Sequence, residues 1–151
     1  MTERFSLDAS ILFYVVDRKA ARKHELAAKI ATRALEGDCI LALQVVAEFF
    51  AAVTRKRAMP YAEAAATAQH WMEVFPTVAH TDSTVQAALE LAASGRLAIW
   101  DATLLTCLEA NDCRYLLTED MQAGAKVGRV RLVNPFVAAL PEPLEFLLSD
   151  D

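Results

Sequence analysis

The sequence predicts an α/β fold in three layers, with a mostly parallel central sheet of about four or five strands and helices on both faces. Short apolar runs of strand length alternate along the chain with longer segments whose apolar residues recur at helical spacing. Such alternation is typical of parallel α/β sheets. The chain has 151 residues, of which 55% are hydrophobic, so it is long enough for one ordinary domain with a sizeable core.

The first half of the chain is predicted to contain two strands and three helices. We expect the strands at residues 4–8 and 39–42 and the helices at residues 20–36, 44–57 and 61–73. Each helix carries apolar residues three or four positions apart, which places them on one buried face. Pro60 precedes the third helix, a position at which proline favours helix initiation.

The second half is predicted to contain three strands and two helices. We expect strands at residues 76–80, 114–118 and 130–133, one helix from Asp82 or Ser83 to Gly95, and another near residues 101–111. In the helix that ends at Gly95, the side chains expected to face inward are Val85, Ala88, Leu89 and Ala92. Because no linker or repeat interrupts the sequence, we expect a single domain over residues 1–151, with a core at about 4–136 and a C-terminal tail at about 137–151.

Composition excludes several classes of function. The chain has 15 Lys and Arg against 20 Asp and Glu, a net charge of −5, which argues against binding nucleic acid through bulk positive charge. A nucleic-acid substrate would require another source of cations. The usual dinucleotide, P-loop and hydrolase-elbow motifs are missing, since neither GxGxxG, nor GxxxxGK before Ser or Thr, nor GxSxG occurs.

The sequence predicts a cytoplasmic protein. Its longest stretch without a charged residue, 132–141, covers ten positions and contains two prolines, whereas a membrane helix needs roughly 18 or more apolar residues. No spanning segment is therefore expected, and the N-terminus lacks the pattern of a signal peptide. Cys39, Cys107 and Cys113 are odd in number and form no CxxC pair, which favours buried thiols in a reducing compartment over a metal or redox site.

Four acids stand out by their positions. Asp8 and Asp120 each follow a predicted strand, and sheets of this kind bind ligands at the carboxyl ends of their strands. Glu48 and Asp101 each interrupt an apolar segment, where a carboxylate is costly to bury unless it is paired or binds a metal. Together the four favour a divalent-cation site, because Mg²⁺ and Mn²⁺ prefer hard oxygen ligands.

Each acid also has a purely structural alternative that explains it equally well on its own. The alternatives are a cap at Asp8 for the turn into residues 10–16, an N-cap role for Asp101, a pairing of Glu48 with Arg55 or Lys56, and a solvated turn at Glu119 and Asp120. The metal site is favoured over these four structural alternatives only because it explains all four acids together.

Five segments then carry a family resemblance through their order and spacing. They are residues 5–14 (FSLDASILFY), 42–50 (ALQVVAEFF), 99–102 (IWDA), 116–122 (LLTEDMQ) and 130–136 (VRLVNPF). Together they resemble the PIN domain, specifically the VapC-type ribonuclease toxins of bacterial and archaeal toxin–antitoxin pairs. The likeness extends over about residues 4–136, and none of the five segments is specific alone.

This resemblance implies a metal-dependent endoribonuclease. It implies that Asp8, Glu48, Asp101 and Asp120 form an acidic quartet that binds Mg²⁺ or Mn²⁺, and that the bound ion activates water to hydrolyse RNA phosphodiester bonds. A non-catalytic PIN-fold module that binds RNA or protein is the alternative, and such a module is expected to have lost some of these acids.

Three further residues support the site by the same resemblance. Thr118 matches a supporting hydroxyl residue, and Ser10 stands where asparagine or threonine is frequent in the family. Glu119 adjoins Asp120, which leaves open which of the two carboxylates reaches the metal, although alignment on Thr118 favours Asp120.

Partners are implied as well. The resemblance implies a homodimer and a cognate antitoxin that neutralises this toxin of a type II pair. The mean hydropathy of +0.24 is high for so small a chain and agrees with apolar surface covered by another chain, although an alanine-rich core explains it too.

Binding of RNA would depend on local charge. Basic residues cluster at 18–24 and at 55–57, and either cluster could bind phosphates beside the scissile one, although most such runs are solvated helix faces. Trp100, next to Asp101, is the aromatic residue expected to shape the pocket, whereas Trp71, Phe49 and Phe50 are expected in the core.

Overall fold

A six-stranded sheet organises the part of the chain that the computed structural model describes, residues 3–150. In chain order, the strands are β1 (Phe5–Leu7), β2 (Cys39–Ala42), β3 (Thr77–Val78), β4 (Tyr115–Leu117), β5 (Lys126–Val127) and β6 (Val130–Val133). Across the sheet they lie in the order β3-β2-β1-β4-β6-β5. Only the β5–β6 pair is antiparallel among these strands, so the predicted mostly parallel sheet is confirmed.

The helices pack in two groups. They are α1 (Ala9–Val16), α2 (Arg22–Ala34), α3 (Leu43–Arg55), α4 (Tyr61–Val74), α5 (Asp82–Ala93) and α6 (Ile99–Ala110), with 3-10 turns at Arg18–Ala20 and Glu142–Leu147. In one group α1 contacts α2 and α3, and α3 contacts α4, while α5 and α6 pack together in the other. Parallel strands need crossover connections, which place helices on both faces of the sheet, and the predicted three-layer α/β/α fold is confirmed.

Besides the two 3-10 turns, one helix and one strand of the structure were not predicted from the sequence. Helix α1 has a nearly continuous apolar sequence, ASILFYVV, so it shows no polar face from which a helical period could be recognised. Strand β5 has two residues, which is too short for any alternation to appear. All the strands and helices that the sequence predicts are present. Their ends differ from the predicted ones by a few residues, as is usual at helix and strand ends.

The prediction for helix α5 was wrong in two respects. Its N-cap is Thr81, not Asp82 or Ser83, because Thr81 and Thr84 each bond the other's backbone N–H through a side-chain hydroxyl in a reciprocal capping box. Leu89 was expected to face inward but is 56% exposed, whereas Thr84 and Ala88 are buried. Of the four side chains expected to face inward, Ala88 is therefore confirmed, Val85 and Ala92 are half-buried, and Leu89 is wrong.

C-terminal residues contribute to the same hydrophobic core as the sheet. Leu144 and Leu147 are fully buried, and the ring of Phe146 packs edge-on against Phe5 with 6.1 Å between ring centroids. The ring of Phe146 also lies against Gly37, where a β-carbon would come within 2.6 Å of its Cζ atom. Glycine at position 37 thus permits this close approach between the turn before β2 and the C-terminal segment.

The three cysteines are free and buried, as predicted. Burial raises the pKa of Cys113 to about 12 and also raises the pKa values of Cys39 and Cys107, so these thiols stay protonated at neutral pH. The predicted core positions of Phe49 and Trp71 are also confirmed, with the two rings in edge contact at 6.1 Å. Within residues 3–150, no helix combines the length and apolar character that crossing a membrane requires.

Candidate active site

Asp8 lies at the carboxyl edge of the sheet, directly after β1. Since β1 and β4 are parallel neighbours with Leu7 opposite Leu117, the next residues, Asp8 and Thr118, meet at the same edge. The Asp8 carboxylate accepts a hydrogen bond from the Thr118 hydroxyl at 2.6 Å and another from the backbone N–H of Ala9 at 2.8 Å. The second bond makes Asp8 the N-cap of α1. These two bonds hold the side chain of Asp8 in one orientation. Asp8 therefore caps α1, as the structural alternative proposed, and also belongs to the acidic cluster.

Glu48 and Asp101 reach the same edge from two different helices. Glu48 is exposed in α3, and Asp101 is half-buried in the first turn of α6. The two helices are joined where the side-chain amide of Gln44 donates to the carbonyl of Trp100 at 2.9 Å. Ala98, not Asp101, is the N-cap of α6, so the capping alternative for Asp101 was wrong.

Charge interactions connect the four candidate acids. Burial raises the pKa of Asp8, and the negative charges of Asp120 and Asp101 add to this effect. The pKa of Glu48 is raised by loss of surrounding water and then by the charges of Asp8, Asp101 and Asp120. The pKa of Asp101 is raised by burial and by Asp120. The structure therefore brings all four acids close enough to repel one another.

No salt bridge to a basic side chain offsets this repulsion in residues 3–150. The pairing of Glu48 with Arg55 or Lys56 that sequence left open is not found, although both cations line the same cleft as Glu48. The four carboxylates are thus a concentrated negative charge without ion pairs, at the edge of the sheet where parallel α/β folds bind ligands.

Glu119 differs from its neighbour Asp120. Its carboxylate accepts a hydrogen bond from the Tyr14 hydroxyl and pairs with the ammonium of Lys23, each at 2.5 Å. Burial alone would raise the pKa of Glu119, but Lys23 and Tyr14 outweigh it and lower the pKa below its ordinary value. Glu119 is already neutralised by these partners, whereas Asp120 is exposed and has no salt bridge in the described residues.

The turn that carries both acids is held by two hydroxyl groups. The Ser10 hydroxyl accepts a hydrogen bond from the backbone N–H of Glu119, and the Thr118 hydroxyl accepts one from the N–H of Asp120, each at 3.2 Å. Thr118 thereby contacts both Asp8 and the backbone of Asp120, so one side chain links two of the candidate acids.

Tyr14 and Lys23 are site residues whose contact with Glu119 the sequence did not predict. Lys23 also lies over the rings of Tyr14 and Phe136, at 5.3 and 5.8 Å from their centroids. Lys23 was visible in the sequence only as part of a basic run. Its acidic partner, Glu119, is distant in the sequence. The two meet because β4, which precedes Glu119, adjoins β1, and because α2 packs against α1, the helix that follows β1.

The donor chemistry of the four acids fits a hard divalent cation. All four donors are carboxylate oxygens, and they lack basic partners within residues 3–150. As placed, however, no three histidine, cysteine, aspartate or glutamate side chains in the described part of the chain are arranged closely enough to hold a metal ion. Their composition and charge therefore agree with a cation site, without a complete coordination shell.

Two neighbouring clefts lie at this end of the molecule. A cleft of about 270 Å³, here called the acidic cleft, is lined by Glu48, Asp120 and Glu119 together with Ser10, Tyr14 and the end of α3. A second one of about 510 Å³, here called the basic cleft, is lined by four cations and one acid, Arg18, Lys19, Lys56, Arg57 and Asp17. Phe13, Tyr14 and Lys56 line both clefts, so residues of the two predicted basic clusters meet in a cleft that adjoins the acidic cleft.

The aromatic contribution to the acidic cleft differs from the prediction. Phe13 and Tyr14 line this cleft, and the ammonium of Lys56 lies over the Phe13 ring at 4.4 Å from its centroid. Trp100 does not line it and is 65% exposed. Because Trp100 is in the first turn of α6, its side chain can point to solvent while Asp101 faces the cluster.

Comparison with known proteins identifies the family. The PIN domain family model matches residues 6–127, which include all four candidate acids. The chain belongs to the PIN domain family. No curated protein matches it in sequence.

Solved structures with a similar fold include a toxin and two toxin–antitoxin assemblies. VapC20 of Mycobacterium tuberculosis, a Sarcin-Ricin loop cleaving toxin, has 17% identity and a TM-score of 0.61, with 77% of this chain and 89% of that chain covered. VapBC2 of Rickettsia felis, bound to a promoter DNA fragment, has 12% identity and a TM-score of 0.61, with coverage of 85% and 96%. A toxin–antitoxin complex of Klebsiella pneumoniae has 17% identity and a TM-score of 0.58, with coverage of 86% and 96%.

Proposed function

We propose that this PIN domain is a metal-dependent endoribonuclease and the toxin of a type II toxin–antitoxin pair. The observation that carries the proposal is the cluster of four mutually repelling carboxylates at the carboxyl edge of the sheet, which have no basic partner in residues 3–150. The three similar folds support the toxin assignment, since one belongs to an RNA-cleaving toxin and two to toxin–antitoxin assemblies.

Asp8, Glu48, Asp101 and Asp120 would hold Mg²⁺ or Mn²⁺. When bound, such an ion lowers the pKa of water and stabilises the leaving oxygen of a phosphodiester. The hydroxyl of Thr118 fixes the orientation of Asp8 and holds the backbone of Asp120 in place.

Phosphates of the RNA beside the scissile one would lie in the basic cleft. Its cations Arg18, Lys19, Lys56 and Arg57 form no salt bridges within residues 3–150, so they are available to an anionic ligand. Without the four acids of the site, the chain would have 16 acids and 15 bases, because 20 − 4 = 16, and its net charge would be −1. The overall negative charge therefore does not prevent RNA binding, since the acidic excess is concentrated where a cation would neutralise it.

Two protein partners, a cognate antitoxin and a second copy of the chain, belong to this proposal. Several large apolar side chains are exposed and would be covered by such partners: Leu35, Tyr61, Met72, Leu89 and Val137. A toxin of this type would act in the cytoplasm, where its RNA substrates are.

The direct test is cleavage of RNA with and without a divalent ion. We expect the purified chain to cut single-stranded RNA at internal positions in Mg²⁺ or Mn²⁺ and to leave it intact in excess EDTA. Labelled RNA separated on a denaturing gel gives the measurement, and sequencing of the new ends locates the cut sites. RNA that is bound but uncut in both Mg²⁺ and Mn²⁺ would instead support the non-catalytic binding module.

A pair of neighbouring substitutions tests which acid of the turn is the fourth member of the quartet. Because Glu119 is neutralised by Lys23 and Tyr14, we expect Asp120→Asn to lower the cleavage rate by about a hundredfold and Glu119→Gln by less than about tenfold. Rates at saturating Mg²⁺ give the comparison, with the melting temperature of each variant as a check on folding. The opposite ranking, with Glu119→Gln the more damaging, would contradict the assignment of Asp120.

A further inference from the structure

A third cleft adjoins the acids and was not indicated by the sequence. It has a volume of about 470 Å³ and contains Asp101 and Asp120 in its lining. Because the β5–β6 hairpin forms one of its walls through Lys126 and Val127, we call it the hairpin cleft. It shares only Asp120 with the acidic cleft and shares no lining residue with the basic cleft. Asp120 therefore lies where the acidic and hairpin clefts meet, with Glu48 on one side and Asp101 on the other.

The lining of the hairpin cleft combines apolar and polar side chains. The apolar side chains come from the end of α5, the turn before α6, and the segment from β4 to β6, and are Leu91, Leu97, Met121, Val127 and Leu132. The polar side chains besides the two acids are Arg96, Gln122 and Lys126, all of which are exposed. A ligand in this cleft would therefore meet both an apolar surface and groups that bind anions or form hydrogen bonds.

The two cations of this cleft are available for an anion. Neither Arg96 nor Lys126 forms a salt bridge in the part of the chain described, whereas Arg129, on the same hairpin, pairs with Glu109 at 3.4 Å.

We propose that the hairpin cleft binds one nucleotide of the RNA strand, on the opposite side of the scissile phosphate from the basic cleft. This inference rests on the proposed nuclease function. The base would pack on the apolar side chains, the amide of Gln122 would contact its edge, and Arg96 and Lys126 would bind its phosphates. A strand held in both clefts passes across the acids, so the bond exposed to them is internal to the strand.

Paired substitutions in two parts of the chain test this subsite. The double variant R96A/K126A removes both cations of the cleft, and its control, K29A/R129A, makes the same change in net charge at two salt bridges outside the cleft. Binding is measured by fluorescence anisotropy with a short single-stranded RNA in EDTA, which removes the divalent ion that the proposed cleavage requires. Circular dichroism confirms that each variant is folded.

We expect R96A/K126A to weaken RNA binding by about tenfold or more and to reduce the slope of log affinity against log salt by about 1.4, or about 0.7 for each lost phosphate contact. In cleavage assays with Mg²⁺, its KM should rise while kcat stays within about twofold of wild type, because these residues bind substrate in the ground and transition states alike. The control should match wild type in both assays.

The outcomes separate this inference from the proposed function. If R96A/K126A binds and cleaves RNA as the control does, the hairpin subsite is overturned while the nuclease assignment stands. If wild type binds RNA more tightly than R96A/K126A by the expected factor, yet never cleaves RNA in Mg²⁺ or Mn²⁺, the nuclease assignment fails. The hairpin cleft then stands as an RNA-binding site. If wild type binds no RNA at all, both are overturned.

Discussion

Replacing Asp8 or Asp101 with asparagine is expected to reduce metal-dependent RNA cleavage by at least about a hundredfold. Each substitution keeps the shape of the side chain and removes one negative charge from the cluster. The loss should be only partly recovered at higher Mg²⁺, because a neutral amide oxygen is a weaker ligand than a carboxylate. Initial rates on a labelled RNA over a range of Mg²⁺ concentrations give the measurement.

A matched control is available in Asp82→Asn. Asp82 is exposed in the first turn of α5, and its replacement makes the same chemical change outside the clefts described above. This variant should cleave RNA at the wild-type rate. If D8N and D101N also retained wild-type rates, the assignment of these carboxylates to the metal site would be wrong.

The same change at Asp8 is expected to stabilise the metal-free protein at neutral pH, by about 1–3 kcal/mol. Burial raises the pKa of Asp8 above its ordinary value of 3.8, and the nearby charges of Asp120 and Asp101 add to the shift. Asparagine removes the buried charge, and its side-chain oxygen can still cap α1 because asparagine is as good an N-cap as aspartate.

The sign of this effect follows from the direction of the shift. The folded protein holds the Asp8 proton more tightly than the unfolded chain does, so this contribution to stability is fully present below pH 3.8. It is lost as the pH rises through the raised pKa of the folded state. The free-energy difference between D8N and wild type should therefore be small at acid pH and largest at neutral pH.

Urea unfolding in EDTA at several pH values measures this difference. Adding Mg²⁺ should stabilise wild type more than D8N, because the ion binds the folded protein and neutralises the cluster. A D8N protein that is less stable than wild type at neutral pH in EDTA would show that the hydrogen bond from Thr118 outweighs the cost of the buried charge.

Much of the fold was predictable because strand and helix periods differ over long stretches of this sequence. The parallel sheet and the helices α2 to α4 and α6 follow from that difference. The sequence could not show α1, whose residues are apolar on nearly every side, or the two-residue strand β5. Helix α5 was found, but its N-cap and the position of Leu89 were wrong, since packing against α6 buries Thr84 and Ala88 and leaves Leu89 exposed.

The candidate site was predictable to a similar degree. Acids that follow strands or interrupt apolar runs can be recognised one at a time, and the fold explains why they meet. Contacts between distant residues could not be recognised in this way. The pairing of Glu119 with Lys23 depends on β4 lying beside β1, and the cations at Arg96 and Lys126 are isolated in the sequence.

The double role of Asp8 has a genetic consequence. One carboxylate both caps α1 and belongs to the acidic cluster, and asparagine can perform only the first task. A single base change in an aspartate codon produces asparagine. Under the proposed function, an allele of much lower activity that keeps its fold and its exposed partner surfaces is therefore one mutation away. The protein made from such an allele would still occupy the proposed antitoxin while cutting RNA far more slowly.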